Sequence, residues 1–478
     1  MSIDGTSRPV ELLVRIQRGA AITLGAQLEE QLRAGIRGGS LRPRSRLPST
    51  RDLARQLGIS RRIVVETYTQ LAAEGYLDVR QGARPRIADA ALVGSRPASP
   101  TTTPARPPRF DFRPSRPDLA AFPRHAWLRS VRRALAAMSD AELGYGDPRG
   151  VEALRDALAA YLGRVRGVVA DPAQIVVTAG FTQGLNVVLR TLASRGAARA
   201  ALESPGNTEH IRIVERAGLE PVPIEIDADG LRTHALAGSG ADVVVVSPAH
   251  QHPTGVVLSG ERRTELLRWL RDQGAVAVED DYDAEYRYER APVGALQGLA
   301  PDLVVYAGSV SKTLAPALRL GWLVVPPGLV DELTLEKHLA DRGTSRIEQR
   351  ALADFIERGE HDRHLRRMRV RYRARRNALV TALQESLPGA EVQGVAAGLH
   401  VSVVLGAGYS EQAIRREAGA RRLALETLSD FRPDAPDEPA TLMLGYASMS
   451  EPSLRAGVAE LAQAIAAASG YAGTPQGV

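Results

Sequence analysis

The 478-residue chain contains no cysteine. That absence excludes a disulfide framework, thiolate metal sites, iron–sulfur ligation and any cysteine nucleophile, and it fits a reducing cytoplasm. Lysine is almost missing too: of 61 basic residues only Lys312 and Lys337 are lysines. Arginine stands wherever a positive charge suffices, but a guanidinium stays protonated and cannot form an imine. Either exception is therefore a candidate for amine chemistry. Lys337, in the charged helical pattern VDELTLEKHLADRG, reads as a solvated surface residue, whereas Lys312 lies between a strand-like run and a turn in VVYAGSVSKTLAPALRLGW. Long apolar runs are also lacking. The N-terminus has no continuous apolar core of a signal peptide, and no segment approaches the ~20 apolar residues of a membrane span. A soluble, cytoplasmic protein without membrane contact is expected. With no phosphate-loop G-x-x-x-x-G-K and no H-E-x-x-H, no metal site is expected either.

The positive charge that is present is unevenly spread. Residues 1–90 carry 15 arginines against 9 acidic residues, while the remainder balances at 46 of each sign. A basic module on a neutral body reads as an electrostatic footprint for a polyanion such as DNA, or else as a solvated basic face. Hydrophobic periodicity organises this module. Leu24, Leu28, Leu32 and Ile36 step by four and stop at Gly38 and Gly39, which predicts a helix. Ser49 precedes Asp52 by three residues, a capping-box spacing, and opens a short helix that ends at Gly58. Ser60 caps a third helix with Val64, Tyr68 and Leu71 on one face and Arg61 and Arg62 in the first turn. YLDVR and PRIA then read as two strands of a hairpin around Gly82.

A first turn carrying Ser60, Arg61 and Arg62 suits a helix entering the major groove, where arginine binds guanine with two hydrogen bonds. Ser49 and Arg51 are placed to reach phosphates. The string LRPRSRLPSTRDLARQLGISRRIVVETYTQLAAEGYL resembles the GntR-family winged helix-turn-helix over the module at residues 10–90. The resemblance implies contacts to double-stranded DNA from Ser49, Arg51, Ser60, Arg61, Arg62 and the wing glycine Gly82. Arg44 and Ser45 depart from it, standing where the family often has a Pro-Gly turn.

Residues 91–108 contain five prolines and read as a linker. Beyond them QIVVTAG, ARAALES, ADVVVVSPAH, AVAVEDDY and LVVYAG each precede a longer amphipathic stretch, which argues a mostly parallel sheet covered by helices. From about Asp341 the pattern turns helix-rich and closes with EVQGVAAGLHVSVVL and TLMLGYA, a small α+β lobe. Strand ends of such sheets hold ligands, and AVAVEDDYDAEY delivers Asp280, Asp281 and Tyr282 there. A carboxylate, a phenol and a lone lysine are the set that pyridoxal 5'-phosphate needs, on its pyridine nitrogen, ring oxygen and aldehyde. Ser309 and Arg319 flank Lys312, and TAGFTQGL opens a helix whose N–H groups can hold a phosphate. Ser309-Val310-Ser311-Lys312 also matches the S-x-x-K of serine acyl-transferases, but the later K-T-G of those enzymes is absent.

FRPSRPDLAAFP, YGDPRG, SPAHQHPTG, VEDDYDAEYRY and GSVSKTLAPALRLGW together resemble the class I, fold-type-I aminotransferase domain, over residues 109–470. Behind a GntR-type winged helix, such a body is the arrangement of the MocR/GabR regulators. The resemblance implies an α/β transferase fold and a homodimer meeting a DNA operator with two half-sites. It implies Lys312 as the Schiff-base lysine, Asp280 on the pyridine nitrogen and Tyr282 on the ring oxygen. Ser309, Arg319 and the backbone of Gly180, Phe181 and Thr182 would hold the phosphate, and Tyr145 would cross to a partner's phosphate. His252 reads either as a ring-oxygen contact or as a buried structural histidine. Met443 stands where amino-acid-binding members carry arginine, and Asn207 where they carry an aromatic residue. Two readings of the effector follow: pyridoxal phosphate itself or a ligand without an α-carboxylate, or an amino acid held by Arg421, Arg422 or Arg432. An aminotransferase with an appended DNA-binding domain is the competing reading of the whole chain.

Overall fold

The computed structural model describes residues 14–80, 83–89, 107–288, 293–394, 396–432 and 439–469. The chain divides into two compact units, residues 1–106 and 107–478. In the first, α1 (Leu24–Arg37), α2 (Thr50–Leu57) and α3 (Arg61–Ala73) precede β1 (Leu77–Asp78) and β2 (Arg86–Ile87), which pair antiparallel. Each helix begins on a hydroxyl: Thr23, Ser49 and Ser60 accept from the backbone N–H of Ala26, Asp52 and Ile63. These bonds satisfy donors that a helix start leaves open. Leu28, Leu32, Ile36, Leu53, Val64, Tyr68 and Leu71 form one core with Leu77 and Ile87, while Leu24 is only half-buried. Arg44 takes a left-handed φ of 62° and pairs with Asp89 at 2.7 Å.

The second unit opens with β3 (Phe110–Asp111), α4 (Arg124–Ala137), α5 (Glu152–Arg166), β4 (Ile175–Thr178) and α6 (Phe181–Ser194). There follow β5 (Arg199–Ser204), α7 (Thr208–Arg216), β6 (Glu220–Asp227), β7 (Gly230–Leu231), β8 (Val243–Val246), α8 (Gly260–Gln273) and β9 (Val276–Asp281). After β10 (Val304–Ser309) and β11 (Gly321–Val324) come α9 (Val330–Asp341), α10 (Arg346–Glu357) and α11 (Glu360–Ser386). The chain ends in β12 (Glu391–Gln393), β13 (His400–Val404), α12 (Glu411–Ala420), β14 (Leu423–Ala424), β15 (Glu426–Thr427), β16 (Thr441–Gly445) and α13 (Glu451–Ser469).

Eight strands form one sheet in the order β4-β11-β10-β9-β8-β5-β6-β7. The pairs β10/β9, β9/β8, β8/β5 and β5/β6 are parallel, and β11 runs antiparallel between β4 and β10. Helices cover both faces, so β8 is VVVV and fully buried. Val243 and Val245 pack under α6 and α7, and Val244 and Val246 pack against α8. Two-sided burial explains the continuous apolar runs of these strands. The small lobe is a four-stranded antiparallel sheet, β12-β13-β16-β15, packed with α11, α12 and α13.

Two details differ from the sequence reading. No amphipathic helix follows β10: the chain turns at Pro316–Leu318 directly into β11. The run GWLV is too short and too uniformly apolar to declare its direction. Lys337 is not a solvated surface residue. It is wholly buried, and its Nζ donates to both Asp341 oxygens at 2.6 and 2.8 Å and to Thr344 Oγ1 at 3.2 Å. Burial lowers its proton affinity and the Asp341 carboxylate raises it, so this amine is spent on a structural ion pair.

Candidate functional site

Strand β9 alternates its side chains, and the alternation sorts its acidic residues. Glu279 and Asp281 turn into the protein. Glu279 accepts from the N–H groups of Leu296 and Gln297, and Asp281 takes Arg166 Nε at 2.6 Å and Tyr306 Oη at 2.7 Å. Asp280 and Tyr282 share the opposite face. There they line a cavity of about 570 Å³ together with Lys312 and His252, a size typical of small-molecule sites.

The cavity sets the proton affinities of these groups. Burial pushes the Lys312 amine down, Asp280 and Asp283 oppose that, and Arg116 adds to it. Burial pushes Asp280 well above the usual carboxylate range, assisted by the negative neighbours Asp281 and Asp283. Burial likewise raises Tyr282 and holds His252 neutral. Tyr282 Oη lies 3.1 Å from His250 Nδ1, which lies 3.0 and 3.1 Å from the two oxygens of Asp283. With the imidazole proton on Nδ1, as the Asp283 carboxylate demands, Tyr282 accepts a share of that N–H and its own proton is left to point into the cavity. Gly398 packs over this dyad at φ 70°, where a Cβ would stand 2.3 Å from His250 Cε1.

The start of α6 gathers groups of the kind that hold anions. Gly180 caps α6 without a side chain, so no side-chain cap closes the N–H groups of its first turn, the condition under which a helix start binds phosphate. The Arg319 guanidinium reaches 3.7 Å from the position of a Gly180 Cβ. Ser309 is the strand partner of Gly321, and a Cβ on Gly321 would lie 2.8 Å from Gly180 Cα. Gly180, Ser309 and Arg319 are thus gathered, with Phe181 and the exposed Thr182 in the first turn. These five do not line the cavity that holds Lys312. Tyr145 joins neither group: it is 85% exposed and lies under Arg342. The donor set fits pyridoxal phosphate. Lys312 has no hydrogen-bond partner among the described residues, His252 Nδ1 is buried without one, and the glycine-capped helix start supplies the phosphate end.

In the first unit Arg51, Ser60, Arg61 and Arg62 are exposed. Arg61 Nε donates to Thr50 Oγ1 at 3.4 Å, which joins the starts of α2 and α3, and Arg62 pairs with Glu66 at 2.7 Å. Ser49 Oγ accepts from Asp52 N–H and donates to Asp52 Oδ2 at 2.6 Å. Gly82 lies outside the described residues.

Residues 118–458 match the family of class I and II aminotransferases, and residues 24–87 match the gntR family of bacterial regulatory proteins. Over 474 residues the chain is 33% identical to the "Probable rhizopine catabolism regulatory protein MocR" of Rhizobium meliloti, covering 95% of this chain and 96% of that one. The chain belongs to the MocR-type regulators of the GntR family. A second relative is the "HTH-type pyridoxine biosynthesis transcriptional regulator PdxR" of Corynebacterium glutamicum, 32% identical over 93% of this chain and 96% of its own. Among solved structures, a multiple substrate aminotransferase from Thermococcus profundus superposes with a TM-score of 0.68 at 26% identity, over 75% of this chain and 91% of that one. The fold is that of the pyridoxal-phosphate-dependent transferases, and the MocR-type architecture makes this chain a helix-turn-helix transcriptional regulator with an aminotransferase-like domain.

Sequence reasoning missed several cavity residues. Glu203, His210 and Phe431 line it, and Ser115 enters it at a left-handed φ of 58°. His250 and Asp283 lay inside quoted motifs, and only their spacing around Tyr282 marks them. Met443 is wholly buried in β16, with Ser402 Oγ 3.4 Å from its sulfur, and does not line the cavity. Of the three alternative arginines, Arg421 pairs with Glu417, Arg422 donates to the Pro107 carbonyl, and Arg432 faces the cavity.

Proposed function

We propose that this regulator binds pyridoxal 5'-phosphate at Lys312 and that the cofactor, or a small amino compound added to it, changes the affinity of its winged helix for DNA. The observation that carries the reading is the meeting of Lys312 with Asp280 and Tyr282 in one cavity. When bound, pyridoxal phosphate supplies an aldehyde that captures amines and a ring that withdraws electrons. The chain's own part is electrostatic and positional. Burial lowers the proton affinity of Lys312, against Asp280 and Asp283, which favours the free amine that acts as a nucleophile. Asp280 would face the pyridine nitrogen and hold a proton on it. Tyr282, steadied by His250 and Asp283, offers its hydroxyl to the ring oxygen, and His252 stands beside it. The α6 start at Gly180, Phe181 and Thr182, with Ser309 and Arg319, receives the phosphate. Tyr145, exposed in one chain, is free to serve the site of a second copy.

On the DNA side Arg61 and Arg62 would read base edges from the start of α3, with Ser60 beside them, while Arg51 and the α2 start at Ser49 would touch phosphates. A homodimer would place two such helices on two half-sites. A ligand shifts this binding only to the extent that it binds the competent arrangement with different affinity. The test is fluorescence anisotropy with a duplex selected from a random pool by the full-length chain, with and without pyridoxal phosphate. The cofactor is expected to change the affinity of the wild type and to leave Lys312→Ala unmoved. Equal responses of the two proteins, or no DNA binding at all, would contradict the reading.

A further inference from the structure

Tyr282 lines the cavity, while His250 and Asp283 stand behind it with side chains 3% and 1% exposed. Two segments build this set: the turn after β8 brings His250, and the residues after β9 bring Tyr282 and Asp283. Gly398, before β13, closes over it. A Cβ there would stand 2.5 Å from Asp283 Oδ2, and the Gly398 N–H holds the Tyr286 carbonyl at 2.8 Å. An ionised carboxylate only accepts, so the Asp283 oxygens, at 3.0 and 3.1 Å, keep a proton on His250 Nδ1 whether the ring is neutral or charged. Tyr282 Oη, 3.1 Å from the same nitrogen, can then only accept from it. A hydroxyl that accepts a hydrogen bond becomes the stronger donor, and the proton it has to give is the one left to the cavity.

We infer that His250 and Asp283 are positioning residues, which turn the Tyr282 hydroxyl proton onto the ring oxygen of pyridoxal phosphate and thereby weaken the hold on the proton shared between that oxygen and the Lys312 nitrogen. The inference rests on the cofactor reading above and adds what sets the cofactor's protonation. A hydrogen bond donated to the ring oxygen stabilises its anionic form, so the shared proton leaves at lower pH. Other titratable groups face the set. Burial raises the proton affinity of Tyr282, and Asp283, Asp280, Glu203 of β5 and Tyr446 beyond β16 add to it. His252 lies edge-on to Tyr282 at 5.9 Å, and His400 of β13 lies 5.6 Å from His250. Burial holds both of these histidines neutral, whereas Glu203, its carboxyl raised by burial to about 8, changes charge in the working range.

The test follows the absorption of the full-length chain, loaded with pyridoxal phosphate, from pH 5 to 9 and reads the midpoint at which the cofactor band changes. Tyr282→Phe is expected to raise the midpoint by about one unit, the worth of one hydrogen bond to a charged oxygen. His250→Phe, which keeps a ring but has no N–H, is expected to raise it by about half as much and to add nothing on top of Tyr282→Phe. Asp283→Asn, which no longer forces the proton onto Nδ1, is expected to shift the midpoint upward as well. Loss of the Asp283 charge alone would shift it downward, since that charge raises the proton affinity of Lys312. The same upward shifts are expected in a Glu203→Gln background, which removes the other carboxyl that titrates in this range. An unmoved or lowered midpoint in His250→Phe or Asp283→Asn, or a His250→Phe shift that persists in full beside Tyr282→Phe, would overturn the inference. Should a variant fail to fold, nitrogen NMR of the histidine-labelled wild type decides: the His250 proton is expected on Nδ1, and a ring protonated on Nε2 alone overturns the inference. If the chain shows no cofactor band, the cofactor reading fails instead, and the same spectrum still decides whether Asp283 and His250 direct the Tyr282 hydroxyl.

Discussion

Asp280 and Asp281 are adjacent residues of one type whose surroundings give them different chemistry. The pleat turns Asp281 to Arg166 and Tyr306 in the interior and leaves Asp280 to the cavity. Sequence reasoning could assign Asp280 only through a resemblance, because two consecutive carboxylates at a strand end look alike until the strand's inner face is known. Glu203, at the end of β5, carried no motif at all, yet burial raises its carboxyl to about 8 from an ordinary 4.5, against hydrogen bonds from Ser247 and Gln251. The unfolded chain loses this proton near 4.5 and the folded chain keeps it until about 8. Its contribution to stability is therefore complete at low pH and is lost as pH rises through the folded value. Urea denaturation followed from pH 5 to 9 is expected to show the wild-type midpoint falling, and Glu203→Gln falling less. Parallel curves for the two proteins would show that Glu203 ionises normally.

At the scale of elements, the helical module was legible because its signals are local. Ser49, Ser60 and Gly58 act through the neighbouring three residues, and α2 and α3 start and stop where those residues require. The winged-helix resemblance places Ser49 on a phosphate, and in the chain without DNA its hydroxyl also caps α2, accepting from Asp52 N–H and donating to Asp52 Oδ2. Ser49→Ala is accordingly expected to destabilise α2 by about 1 kcal/mol, measured by hydrogen exchange of the α2 amides. Unchanged exchange with weakened DNA binding would assign Ser49 to phosphate contact alone and contradict the capping role. Long-range features were less legible. β11 lies between β4 and β10 because of non-local pairing, and nothing within GWLV announces that register. Lys337 was misread for a similar reason. Its helix carries charges on several faces, and only the packing of α9 shows that Lys337 is the one that is buried and paired with Asp341.

At the scale of the whole molecule, charge and chemistry are divided between two units. The excess positive charge belongs to residues 1–90, and the lysine in the cavity belongs to residues 107–478. Both halves of the family were visible in the sequence because each is carried by contiguous motifs. The full lining of the cavity was not, because Glu203, Glu225 and Phe431 come from separate strands and loops and meet only in three dimensions. The near-absence of lysine makes the central claim testable in one step, since the chain offers only two lysine amines to an aldehyde. Treating the full-length protein with pyridoxal phosphate, reducing with borohydride and mapping tryptic peptides is expected to put the phosphopyridoxyl mass on Lys312, in the peptide ending at Arg319, with none on Lys337. A label on Lys337 or the N-terminus alone, or no label, would contradict the assignment of Lys312 and with it the account of this domain as a cofactor-binding sensor.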